Sequence, residues 1–322
     1  MRRPEQHLFQ HTPETLAAWC AERGMPPFRA KQILEWVSEK GVADPAEMTN
    51  LSRADRETLA REMTFLSGAT IGHQSATDGV QKLLIQWDED DAPASRSHAL
   101  PVLGAPEGDP TRQTECVMIP APGRKTACIS SQVGCPVGCR FCASGLGGLD
   151  GNLSAGRIIE QVWRLARLPE VGRVSNVVFM GMGEPLANFQ AVKHAIETIT
   201  APWGPAISAR KVTVSTVGLP KAIERLAREL EQPVTLALSL HAPTDEIRRD
   251  LIPWSEYTTI DELVGACDVW FRKTGREITL EYTLMGGVND QPEHADGLAR
   301  IAKRIRANVN LIRYNEVAGH EF

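Results

Sequence analysis

No stretch of this 322-residue sequence is apolar for long enough to cross a membrane as a helix, and its N-terminus lacks the pattern of a secretory signal. A cytoplasmic protein with no membrane partner is therefore expected. A disulfide framework is missing too. The seven cysteines, Cys20, Cys116, Cys128, Cys135, Cys139, Cys142 and Cys267, form an odd, unrepeated set that points to a reducing compartment. Net positive charge is also absent: 35 Lys and Arg face 40 Asp and Glu, a formal charge of -5 that counts against any nucleic-acid partner. The deficit is uneven. From Arg124 to Arg167 six basic residues face two acidic ones, and from Arg300 to Arg313 there are five basic residues and no acid. Such runs suit a phosphate-facing surface or an ordinary exposed helix face, and charge alone does not separate the two.

The most informative shortage is that of a fourth thiol. Cys135-Pro136-Val137-Gly138-Cys139-Arg140-Phe141-Cys142 places three thiols within eight residues. Thiolates so spaced can turn inward on one tight loop and hold a single soft metal centre. A structural zinc site or an electron-transfer cluster takes four protein ligands, so a three-ligand loop leaves one metal position open to substrate or cofactor. A zinc site completed by a distant His or Cys, and a chance cluster, are the bland alternatives. Pro136 and Gly138 suit a loop, and Phe141 is placed to shield a cluster from water.

Around this loop the chain divides into three parts, and its length suits one large α/β domain with a smaller companion. Residues 1–63 read as short helices: Thr12-Pro13-Glu14 opens the first, Ile33, Leu34 and Val37 form the apolar face of the second with Gly41 as its stop, and the third begins near Ser52. This module reads either as a structural cap or as a substrate-docking domain. Residues 64–120 alternate in β fashion at 81–87 and 115–120, a hairpin joined by a long Pro/Ala/Gly-rich connection over 92–110, with the acidic run 88–91 as a solvated turn.

From about Lys125 strand and helix alternate. Strands are expected at 125–131, 174–180, 211–217, 234–241, 276–284 and 308–314, and helices at 154–167, 188–199, 219–230, 259–274 and 291–305. Such alternation implies right-handed crossovers and a parallel sheet, so the fold class is α/β, a partial (β/α)6 barrel over 121–322. Parallel barrels carry their chemistry at the C-terminal strand ends. There the sequence sets the cysteine loop, Gly181-Met182-Gly183-Glu184-Pro185, Ser215-Thr216-Val217-Gly218, Ser239-Leu240-His241-Ala242-Pro243 and Tyr314-Asn315. The Gly181–Pro185 run lacks the GxGxxG spacing of a dinucleotide fold; alone it is a tight turn, beside the cysteines an approach for a ligand amine to Glu184. Ser215, Ser239, His241 and Asn315 could bind hydroxyls, a ring or a carboxylate, or serve as satisfied loop residues.

The C-x3-C-x2-C spacing with an aromatic before the last Cys resembles the signature of radical S-adenosylmethionine (SAM) enzymes, and the GMGEP run resembles their GGEP segment. Further strings, Phe28-Arg29-Ala30-Lys31-Gln32-Ile33, Glu47-Met48-Thr49-Asn50-Leu51, Cys128-Ile129-Ser130-Ser131-Gln132, Ser239 to Pro243 and Val288-Asn289-Asp290, are similar to those of the RlmN/Cfr family of RNA adenine methyltransferases, and favour the RlmN branch. The resemblance runs from about residue 7 to the end of the chain. It implies a radical SAM barrel in which Cys135, Cys139 and Cys142 hold a 4Fe-4S cluster, while Gly183, Glu184, Ser215, Ser239, Leu240, His241 and Asn315 contact SAM. Glu115 falls where the family has its proton acceptor, and Cys128 matches the cysteine that resolves a covalent protein-RNA intermediate. The implied reaction is methylation of adenine C2 in 23S rRNA and in tRNA, 3′ of the anticodon, by a monomer served by an external, flavodoxin-like electron donor, with residues 1–63 docking RNA.

The family's chemistry uses two SAM molecules, one methylating a cysteine near the C-terminus and the other generating the radical that activates that methyl group. Such machinery suits an electrophilic ring carbon that cannot simply attack SAM. This sequence departs from the pattern, since no cysteine follows Cys267. Cys267 lies on the apolar face of an expected helix with Leu263, Val264 and Trp270, a poor replacement. The expectation is a C-terminally truncated chain that binds the cluster without completing methyl transfer. A Cfr-like C8 methyltransferase and a non-catalytic RNA-binding or zinc-binding homologue are the rival readings.

Overall fold

The structure, a computed structural model, describes residues 6–87, 112–145 and 147–316. The acidic run 88–91, the connection 92–110 and the end of the chain at 317–322 lie outside the described residues.

Three helices open the chain. In α1 (Pro13–Glu22) Thr12 and Thr15 cap each other's backbone N–H, and Pro13 takes the first position, where its missing N–H costs nothing. α2 (Arg29–Ser38) buries Ala30, Ile33, Leu34 and Val37. It ends short of Gly41, which carries a positive φ of 74°. α3 (Arg53–Glu62) is capped by Ser52 and turns Leu59 inward. With Leu16, Trp19, Cys20, Met48 and Phe65 these side chains form a core of their own, separate from the main one.

Among the described residues the main sheet has nine strands. β1 (Gly68–Ser75), β2 (Gln81–Trp87) and β3 (Gln113–Ala121) run antiparallel, and β3 pairs antiparallel with β4 (Arg124–Cys128). The expected hairpin forms, Gln81 to Gln86 facing Met118 to Gln113, but it is an extension of the barrel sheet with a further strand at its edge. β1 went unread because its residues are mostly exposed and show no apolar alternation.

After β4 come two short strands, β5 (Gln132–Gly134) and β6 (Leu149–Asn152), paired in a small sheet of their own. Then follow α4 (Ala155–Leu165), β7 (Asn176–Phe179), α5 (Phe189–Thr200), β8 (Val212–Thr216), α6 (Pro220–Glu229), β9 (Thr235–Ser239), α7 (Asp245–Leu251), α8 (Ile260–Thr274), β10 (Ile278–Leu284), α9 (Pro292–Arg304) and β11 (Asn308–Arg313). β4, β7, β8, β9, β10 and β11 are parallel neighbours in that order, the six-stranded half-barrel that alternation predicts. Helices pack their apolar stripes on it. α4 buries Ile158, Ile159, Val162 and Leu165, each worth about 1.5–3 kcal/mol when fully removed from water. Among the described residues no helix is long and apolar enough to cross a membrane.

Candidate active site

Two loops fasten to each other at the C-terminal end of the half-barrel. The strand expected over 125–131 stops at Cys128. Beyond it the backbone turns to the β7 loop: Gly181 N donates to Ile129 O, Met182 N to Ser130 Oγ, Ser131 N to Met182 O and Glu184 N to Gln132 Oε1. So close an approach excludes side chains. A Cβ on Gly181 would lie 2.8 Å from the Ile129 carbonyl, and one on Gly183, whose φ is 102°, 2.6 Å from Gln132 Cβ. α4 closes the joint from behind, Gln161 bonding both the N–H and the carbonyl of Ser130.

The cysteine loop leaves this joint through β5 and returns through β6. Gly134 (φ 72°) admits the Gly148 carbonyl, which accepts from Cys135 N at 2.9 Å. Cys135, Cys139 and Cys142 then line one cavity of about 230 Å3. Gly183, Glu184, Ser215, Ser239 and His241 share its wall, with Phe141, Met180, Thr216, Glu281 and Ile312. Ser215 and Ser239 face each other across adjacent strands, Oγ to Oγ 3.2 Å.

Two ionisable walls are fixed from within. Glu184 is buried; Oε1 accepts from Leu186 N and Thr216 Oγ1, and Oε2 from Val217 N at 2.8 Å. Burial pushes its acidity below that of an ordinary carboxyl, and those bonds hold it back. Three of about four acceptor positions are taken, leaving room for one ligand donor. His241 stands in the left-handed region at φ 56° and lies edge-on to Phe141, ring centroids 4.8 Å apart. Its Nδ1 accepts from Thr283 N, so the neutral ring carries its proton on Nε2. Burial, helped by Arg248, lowers its pKa to about 3, which keeps it neutral. Asn289 explains the Val288-Asn289-Asp290 string: its Nδ2 donates to the carbonyls of His241 and Thr283 while Oδ1 accepts from Met285 N.

The other expected residues stand apart from this wall. Leu240 faces the main core. Asn315, just past β11, is exposed and does not line the cavity. Cys128 lies behind Met180, whose backbone contacts it, with its pKa raised to about 11 by burial. Glu115 is on β3, with Oε1 2.9 Å from Lys82 Nζ and its own carbonyl accepting from Ser130 Oγ. Glu281 escaped the sequence reading. It is an acid at a buried position of β10, held by Asn310 Nδ2 at 2.7 Å, and only its charge within a β-prone run hinted at it.

The donor set suits a cluster. Burial pushes the Cys135 thiol up to about 11, with Cys142 and Glu184 adding to it, and it raises Cys139 further, with Cys142 and Cys135 adding to it. Buried thiols hold their protons, and a metal centre binds by displacing them and supplying the positive charge that stabilises the thiolates. Among the described residues no three His, Cys, Asp or Glu side chains converge on one ion. A mononuclear zinc site needs that convergence, whereas three cysteines of an iron-sulfur cube bind three different irons.

Three thiols at the open ends of a parallel half-barrel, beside a glycine-lined acidic turn, define the radical SAM class of enzyme. The model of the radical SAM superfamily matches residues 129–298, and that of the ribosomal RNA large subunit methyltransferase N-terminal domain matches residues 6–64. A probable dual-specificity RNA methyltransferase RlmN from Rhodopirellula baltica is 39% identical over 98% of this chain and 79% of its own length. The dual-specificity RNA methyltransferase RlmN of Halorhodospira halophila is 40% identical over 95% of this chain and 79% of its own. A crystal structure of a radical SAM methyltransferase from Sphaerobacter thermophilus aligns with a TM-score of 0.88 at 36% identity, covering 98% of this chain and 87% of that one. The chain belongs to the RlmN family of radical SAM RNA methyltransferases. Its cofactors are accordingly a 4Fe-4S cluster and SAM.

Proposed function

We propose that this chain carries the cluster-binding and SAM-binding core of a methyltransferase acting on C2 of adenine in 23S rRNA and tRNA. The observation that carries the reading is the single cavity shared by Cys135, Cys139, Cys142, Gly183, Glu184, Ser215, Ser239 and His241. Bound there, the cluster and SAM supply the one-electron bond cleavage that side chains cannot perform. The three cysteines hold the cluster. Glu184 takes the SAM amino group on its remaining acceptor position, and Gly183 lets the backbone come close. Ser215, Ser239 and His241 Nε2 offer hydrogen bonds to hydroxyls and ring nitrogens, with the Leu240 main chain between the last two, while Asn315 would have to move in from the loop after β11 to join them. Phe141 and Met180 keep the cavity dry.

In methyl transfer Glu115, its carboxylate kept in place by Lys82, would accept the ring proton, and the Cys128 thiol would free the product by forming a disulfide with the sulfur that carried the methyl group. Cys20, Cys116 and Cys267 are buried in the cores, away from the cavity, and are not placed to carry a methyl group. Residues 1–63 dock the RNA, residues 121–322 form the reactive core, and an external flavodoxin-like donor reduces a monomer in the cytoplasm.

Anaerobic reconstitution tests the reading. Four irons and four sulfides per chain, with an EPR signal that changes on adding SAM, are expected; loss of iron binding in Cys139→Ala should follow. Zinc in place of iron sinks the proposal. Nucleoside mass spectrometry after incubation with RNA, SAM and reductant tests the position: 2-methyladenosine agrees with the C2 assignment, and the C8 isomer would overturn it.

A further inference from the structure

The geometry points to Arg248 as the buried counter-charge of the cluster site and the positioning residue of its cysteine loop. The inference rests on the cluster reading above. Arg248 is 1% exposed, on α7, the short helix that the sequence reading missed. Its Nη2 donates to the Val217 carbonyl, while its Nε has no hydrogen-bond partner among the described residues. The Val217 N–H donates in turn to Glu184 Oε2, so the backbone of one residue links Arg248 to the acid of the SAM-binding turn through its two flanking peptide groups. The cysteine loop is tied to the same helix: Arg140 N donates to Leu251 O at 3.0 Å, and Arg140 Nη1 lies 2.7 Å from Asp250 Oδ1. Cys135, Cys139 and Val137 pack with Val217, Leu251 and Ile252 in a small apolar cluster of their own.

A guanidinium inside such a cluster stays charged, and a carbonyl alone does not neutralise it. Asp245, on α7, is one electrostatic partner of the guanidinium, and its Oδ1 also accepts from Ile260 N at 2.7 Å. An anion on the cavity side completes the balance. Three thiolates on an iron-sulfur cube provide that net negative charge. A fixed cation beside a cluster favours the reduced state, which carries one more negative charge, and so raises the reduction potential.

The experiment is an EPR-monitored redox titration of anaerobically reconstituted full chain, wild type against Arg248→Gln and Arg248→Lys, with iron content and far-UV circular dichroism on each. Gln keeps a donor for the Val217 carbonyl and loses the charge; Lys keeps both. The expected result is a more negative midpoint potential in Arg248→Gln at unchanged iron content, with Arg248→Lys close to wild type. If only the Lys variant folds and loads, the charge is again what the site requires. Equal potentials in wild type and Arg248→Gln overturn the inference, as does an equal shift in both variants. Wild-type chain that binds no iron fails the cluster reading instead, so the two failures are distinguishable.

Discussion

Gly183 and Asn289 show how much of the site is decided by single atoms, and Gly265 marks the contrast outside it. A methyl group on Gly183 meets Gln132 Cβ at 2.6 Å and the Gln132 backbone N at 2.9 Å, at a φ of 102° that L residues avoid. Gly183→Ala is expected to cost about 2–4 kcal/mol in urea unfolding and to impair SAM binding, because strain and overlap act together. Gly265 is the opposite case: it lies within α8, exposed, with nothing within 4 Å of an added Cβ. Gly265→Ala should stabilise by about 0.5–1 kcal/mol, raising the urea midpoint without touching iron loading. Asn289 is 1% exposed and satisfies two carbonyls and one N–H. Its replacement by Ala strands all three and frees His241 from its strained backbone, a loss of about 2–4 kcal/mol with a fall in melting temperature. An unchanged melting temperature would show that water replaces the amide.

At the scale of elements, α4 joins the helical module to the barrel through one carboxylate. Glu160 is fully buried and accepts from Ser67 N, Ser67 Oγ, Gly68 N and Arg164, with His7 Nε2 at 3.1 Å. Breaking such a pair by removing one partner costs about 3–5 kcal/mol. Glu160→Ala should therefore speed proteolysis near residues 64–67 and lower stability by about that amount; cleavage at the wild-type rate would contradict the latch. No local pattern announces this element contact, since His7 is 153 residues away along the chain. The same reason divides what the sequence shows from what it hides. The six parallel strands and the five longer barrel helices announce themselves by period, and the Thr12, Ser52 and Thr259 caps by residue type. α7 does not: with Ile247 and Leu251 as its apolar residues, it is too short for a periodic signal. The three cysteines were legible because spacing alone carries their meaning. Arg248 and Glu281 were not, because their meaning depends on burial.

For the molecule as a whole, the buried thiols make stability depend on pH. Cys128 and Cys135 titrate in the folded chain near about 11, and Cys267 near about 12, each raised by burial from about 9. Between about 9 and those values the unfolded chain has released protons that the folded chain still holds, so stability falls as pH rises. The contribution is fully present below pH 9. Above about 10 the buried guanidiniums of Arg167 and Arg248, both lowered to about 10 by burial, act with the opposite sign, because the unfolded chain then holds the extra protons. The clean window is about pH 9 to 10. Metal-free chain, unfolded in urea under anaerobic conditions, should lose stability steadily across it. Cluster-loaded chain should lose less, because metal has already replaced the protons on Cys135, Cys139 and Cys142. A loaded chain as pH-sensitive as the metal-free one would mean that these three sulfurs are not where the metal is held.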